Sequence, residues 1–124
     1  MSIIVRPAAP THDLGHARFT SLATPSRGSS QTSVWEVELM PGAPATPHSL
    51  TSEEVFVVME GTANVVLDGV RGKAHAGDAI VVAPGVQVEL ANETDGVVRM
   101  LCCLPVGGQA QLANGTTFTP PWAE

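Results

Sequence analysis

Cationic residues are scarce in this chain. Six lysines and arginines stand against twelve acids over 124 residues, for a formal charge of −6 and an isoelectric point near 5.0. The six (Arg6, Arg18, Arg27, Arg71, Lys73 and Arg99) are scattered, and only Arg71 and Lys73 are close together. That is a poor footprint for phosphates, so neither nucleic acid nor an anionic membrane is expected as a partner. Long apolar runs are missing too; nothing approaches the roughly 20 residues that span a bilayer. The opening M-S-I-I-V-R-P is too short and polar-interrupted for a signal peptide, and the expectation is a soluble, cytoplasmic protein. Cysteine is limited to the adjacent Cys102 and Cys103. A disulfide between neighbours closes a strained ring, and strand alternation would send the sulfurs to opposite faces, so two reduced thiols are expected. No stretch of ten residues or more reads as a helix, and no repeat or change of composition divides the chain.

Glycine and proline are plentiful, twelve and ten, set between short apolar runs as the turns of an all-β protein would be. Hydrophobic content of 44% with 15% charged residues fits an ordered globule. At this length a single domain can bury roughly two-thirds of its unfolded surface and needs no staple. Residues 1–124 are therefore read as one domain: an N-terminal arm or edge strand over 1–32, a barrel core over 33–105 and an irregular tail over 106–124.

Within the arm, Ile3-Ile4-Val5 is β-branched, and Phe19 and Leu22 are apolar enough to dock it. His12 and His16 are four apart, but Gly15 interrupts any helix that would pair them, and they read as part of a solvated arm or edge strand. Residues 33–39 alternate, with Trp35, Val37 and Leu39 on one side and Val34, Glu36 and Glu38 on the other. Residues 54–60 are apolar on both faces and read as a central strand. Residues 62–68 follow, then the turn dipeptide Asp68-Gly69, the polar strand 70–76 and a last strand over 97–105. Trp122, in the terminal P-P-W-A-E, reads as an anchor.

The stretch from Gly42 to Gly61 carries the chemistry. Gly42, His48, Glu54 and Gly61 fall on four of the five fixed positions of G-x5-H-x-H-x3-E-x6-G, with Leu50 where the second histidine belongs. Residues 77–92 similarly follow G-x5-P-x-G-x2-H-x3-N through Gly77, Gly85 and Asn92, with Ala83 at the proline and Val88 at the histidine. Together these resemble the two motifs of the cupins. The resemblance implies an all-β fold, a small jelly-roll (double-stranded β-helix) barrel, and a homodimer by family habit.

It also implies where a metal would sit. In metal-binding cupins the four ligand positions are those read here as His48, Leu50, Glu54 and Val88. Leucine and valine offer no donor, and a first-row ion wants three or more from protein, so no metal cofactor is expected. The alternative is a divalent manganese, iron, nickel or zinc ion on a shifted site of His48, Glu54 and His75. Glu53 points away from Glu54 by alternation, and an exposed rim position is expected for Glu53 and His75.

By alternation the barrel pocket is lined by Leu50, Phe56, Val58, Val86, Val88 and Leu90, joined by Met100 and Cys102 from the last strand, with His48 and Glu54 as its polar corner. That composition suits a small, largely apolar ligand, and ligand binding is the leading functional expectation. The alternative is an enzyme, either an isomerase or lyase with His48 and Glu54 as acid and base, or a dioxygenase or isomerase using the shifted metal site. An adaptor acting through the tail is a third class.

Overall fold

The computed structural model describes residues 2–124. Its strands are β1 (His12–Asp13), β2 (Ala17–Ala23), β3 (Thr32–Leu39), β4 (His48–Leu50), β5 (Glu54–Glu60) and β6 (Thr62–Leu67), then β7 (Val70–His75), β8 (Ala79–Val82), β9 (Val88–Ala91), β10 (Val98–Pro105), β11 (Ala110–Leu112) and β12 (Thr117–Phe118). They form two six-stranded antiparallel sheets. The first runs β1-β2-β3-β10-β5-β8 and the second β12-β11-β4-β9-β6-β7. Two single 3-10 turns, Pro25–Arg27 and Pro121–Ala123, are the only helical segments among the described residues. This is the expected jelly-roll barrel.

The core follows from alternation. β10 turns Val98, Met100, Cys102 and Leu104 inward and buries all four. Register sets Met100 beside Val37 and Val58, and Cys102 beside Trp35 and Phe56. Cys103 faces outward between Val34 and Val55, so the two thiols are free and on opposite faces. Asp68 and Gly69, with φ of 46° and 82°, make the two-residue turn joining β6 to β7.

Both ends of the chain belong to the sheets. β2 pairs along β3, and the segment before it crosses the outer face, where Arg6 donates to both carboxylate oxygens of Glu36 at 3.0 and 3.2 Å. With Arg99 Nη1 also 3.7 Å away, Glu36 is buried on a face where alternation alone would have left it wet. The tail is not irregular throughout: β11 pairs with β4, β12 pairs with β11, and the last turn is clamped back onto the first sheet. Ser21 Oγ donates to Trp122 O (2.8 Å), Ser33 Oγ to Ala123 O (2.7 Å) and Ser26 N to Glu124 O (3.0 Å). Strands of two and three residues are too short to show as a sequence period, so they escape a reading by alternation.

Gly61, between β5 and β6, has φ of 81°, and a Cβ there would lie 2.6 Å from Val97 O. Gly85 has φ of 82° but open space around it. Alanine at either position should cost about 1–2 kcal/mol in left-handed strain. Only Gly61→Ala must also displace backbone, and its melting temperature should fall several degrees below that of Gly85→Ala in a thermal scan. Equal losses would show that the close approach to Val97 is relieved without cost.

Candidate functional site

The inner faces of the sheets do not meet everywhere. Between them lies a cavity of about 250 Å³. Its floor is buried: Trp35, Phe56, Met100, Cys102 and Glu54. Its mouth is marked by the exposed His16 and Thr46 and the half-buried His48. Leu50 and Leu90 complete the wall from the second sheet.

Five of the eight expected lining residues (Leu50, Phe56, Leu90, Met100, Cys102) lie in the cavity wall, as do His48 and Glu54. Val58, Val86 and Val88 do not. Val58 and Val88 are fully buried in the closed part of the core, and Val86 is half-buried in the turn before β9. Alternation identifies the face a residue occupies, but not how far along the strand the void extends. The wall also includes residues not expected there, among them His16, Phe19, Phe118, Pro120 and Trp122. The even spacing of Phe118, Pro120 and Trp122 was the available signal. Phe19 and Trp122 stack with ring centroids 3.6 Å apart and planes 8° from parallel, and this joins the two chain ends into one side of the cavity.

Glu54 dominates the electrostatics. Strand β5 sets it on the same inward face as Phe56 and Val58, and it is 3% exposed. Desolvation alone acts on it, without a hydrogen bond or a cation to offset it, and raises its pKa from the ordinary 4.5 to about 8. At neutral pH it is a carboxylic acid able to donate a proton. Burial likewise holds the Cys102 thiol well above its ordinary range, so that group stays un-ionised and is a poor nucleophile.

His48 is arranged differently from the expected acid–base pair. Neither ring nitrogen comes within 4.0 Å of a Glu54 oxygen. Instead Nδ1 sits 2.9 Å from Thr46 O. A carbonyl can only accept, so Nδ1 carries the hydrogen of this bond. The two groups share the cavity across a gap.

The donor set does not fit a divalent metal. Leu50 and Val88 contribute none, and among the described residues no three His, Cys, Asp or Glu side chains converge. The shifted site fails on register. His75 pairs with Thr62 beside the inward-facing Ala74, is exposed on the outside of the second sheet, and has its Nδ1 3.6 Å from Asp78 Oδ2. A second, broader concavity of about 430 Å³ lies outside that sheet between Arg71, Lys73, Glu89 and Glu93, and none of the motif positions lines it.

A family model for the cupin domain matches residues 35–104. Solved structures agree. A cupin 2 conserved barrel domain protein from Salinispora arenicola is 26% identical, with a TM-score of 0.68 over 83% of this chain and 88% of that one. The polyketide cyclase RemF from Streptomyces resistomycificus is 21% identical, with a TM-score of 0.68 over 82% and 73%. KdgF from Halomonas sp. is 20% identical, with a TM-score of 0.63 over 83% and 93%. No curated protein matches the chain.

Because Glu54 holds its proton in the folded state and loses it near 4.5 when unfolded, the native state binds more protons between pH 4.5 and 8. Stability due to this group is therefore greatest below pH 4.5 and declines as pH rises to about 8, by on the order of a few kcal/mol. Glu54→Gln should melt close to the wild type at pH 5 and above it at pH 8.5. A constant difference in melting temperature between the two proteins across that range would refute the raised value.

Proposed function

This chain belongs to the cupin domain family, and on that premise we propose that it is a metal-independent, small-molecule-binding cupin. Its ligand is small, largely apolar and carries one hydrogen-bond acceptor, which the Glu54 carboxyl engages at the cavity floor. The observation behind this reading is a buried acid without a partner in a wall otherwise made of Trp35, Phe56, Leu90, Met100 and their like. An un-ionised carboxyl in such a place has an unused donor, and a carbonyl or ether oxygen would satisfy it. At about 250 Å³ the cavity falls just below the roughly 300–1,000 Å³ of drug-sized sites, which favours a ligand of one or two rings.

We further propose a cytoplasmic homodimer. Three sheet edges are blunted: β1 and β12 have two residues each, and β7 carries Arg71 and Lys73. The fourth, β8, is apolar, with Val81 56% exposed, and Ile3 and Val5 add further exposed aliphatic surface. Light scattering should give twice the chain mass at micromolar concentration, and Val81→Lys should shift it toward monomer. A wild-type monomer at that concentration would refute the dimer.

Ligand binding can be followed by the fluorescence of Trp35 and Trp122, both in the cavity wall. Acetophenone, which has an acceptor, should bind more weakly above pH 8 by about 2–10-fold, the worth of one hydrogen bond. Toluene should show no such change. The other titratable groups facing the cavity are Cys102 at the floor and His48 and His16 at the mouth, so the loss should disappear in Glu54→Gln. If neither probe binds, or both follow one pH profile, the reading is wrong.

A further inference from the structure

We infer that the cavity selects a planar aromatic compound, and that the aromatic side chains of its wall distinguish such a ligand from a saturated one of the same polarity. The inference rests on the binding reading above and adds a ligand class to it. The chain has three phenylalanines, two tryptophans and no tyrosine, and all five rings (Phe19, Trp35, Phe56, Phe118 and Trp122) line this one cavity. They arrive from separate places: Phe19 from β2, Trp35 from β3, Phe56 from β5, Phe118 from β12 and Trp122 from the last turn. The completely sealed part of the core is different. Val58, Val82, Val88 and Val98 leave no surface exposed there, and no ring is among them.

Two details separate this arrangement from ordinary core packing. Phe19, Phe118 and Trp122 line the cavity yet are only half-buried, so a ligand against that wall would take further ring surface out of water. The floor is also polarizable. Strand register sets Trp35 and Phe56 on either side of Cys102 in one inward row, and Met100 is the next inward residue of β10. A ring entering between the sheets therefore meets two sulfurs and two aromatic side chains. Ring–ring and sulfur–ring contacts favour a π-system and give a saturated ring no such advantage. The stacked Phe19–Trp122 pair already packs ring on ring at the side of the same cavity. No lysine or arginine lines the wall, so a neutral ring leaves no cation stranded when it displaces water.

The test compares benzylacetone with its ring-hydrogenated counterpart by ligand-observed NMR titration of the full chain. The two ketones share an unconjugated acetyl oxygen, so any contact with Glu54 cancels between them, and only the ring differs. The saturated ketone is at least as hydrophobic, so burial of apolar area alone predicts equal binding or the reverse order. The aromatic ketone should instead bind about 2–10-fold more tightly, the worth of one ring contact. Trp122→Leu and Phe118→Leu each keep the wall apolar while removing a ring, and each should move that preference toward one. If Trp122→Leu melts early because its stack with Phe19 is lost, Phe118→Leu carries the test. Equal binding of the two ketones, or a preference that survives intact in the folded variants, overturns aromatic selection while leaving the binding reading standing. Failure of both ketones to bind overturns the binding reading itself.

Discussion

A carboxyl group buried without a cation or a hydrogen-bond donor remains un-ionised, and the interior of this barrel is arranged around that constraint. Glu54 could have been solvated at the mouth, as His16 is, or paired on the outer face, as Glu36 is with Arg6 and Arg99. Strand register does neither. It opposes Glu54 to Val82 in β8 and sets it on the same side as Phe56. The chain has only six basic residues and places none of them in the cavity wall, so no cation reaches the carboxyl. The strain of burial is therefore carried as a retained proton, a form of stored reactivity that an apolar residue at position 54 would lack.

The cavity exists because the chain ends build part of it. Without β2 and the last turn, the inner faces of Trp35 and Phe56 would open to water at the side of the barrel. Phe19 from β2 and Trp122 from the tail stack there instead, and the hydroxyls of Ser21 and Ser33 fix the tail by donating to its carbonyls. These hydrogen bonds join residues roughly ninety or a hundred positions apart, so closing the cavity depends on long-range contacts. Water exclusion around Glu54 thus depends on residues far from either motif.

The barrel core was legible in the sequence because alternation and turn chemistry are local. Trp35, Val37 and Leu39, the Asp68-Gly69 turn and the opposed faces of Cys102 and Cys103 follow from neighbours in sequence. What was not legible depended on distance. The tail's two short strands exist because β4 had a free edge to offer, and no local period announces them. Val58 and Val88 face the interior, yet packing fills the space before the cavity reaches them. His16 reads as a solvated arm residue until the hairpin of β1 and β2 carries it to the mouth. Spacing alone suggests a His48–Glu54 pair, but His48 Nδ1 bonds the Thr46 carbonyl instead, which no motif encodes.

The same comparison explains why Leu50 and Val88 matter beyond what they remove. In a metal-binding cupin a divalent ion would hold the glutamate of this position ionised, because a nearby double charge outweighs desolvation. Leu50 and Val88, at two of the ligand positions, offer no donor and make the surroundings more apolar. Both effects push the carboxyl in the same direction, toward its acid form. His48 sets Nδ1 2.9 Å from the Thr46 carbonyl oxygen. Glu54 at the floor and His48 at the mouth remain in the wall of one cavity. A metal would have stripped the proton from Glu54 and occupied the lone pair of His48. A metal-independent role is consequently what this arrangement favours, rather than a weakened version of the metal-dependent one.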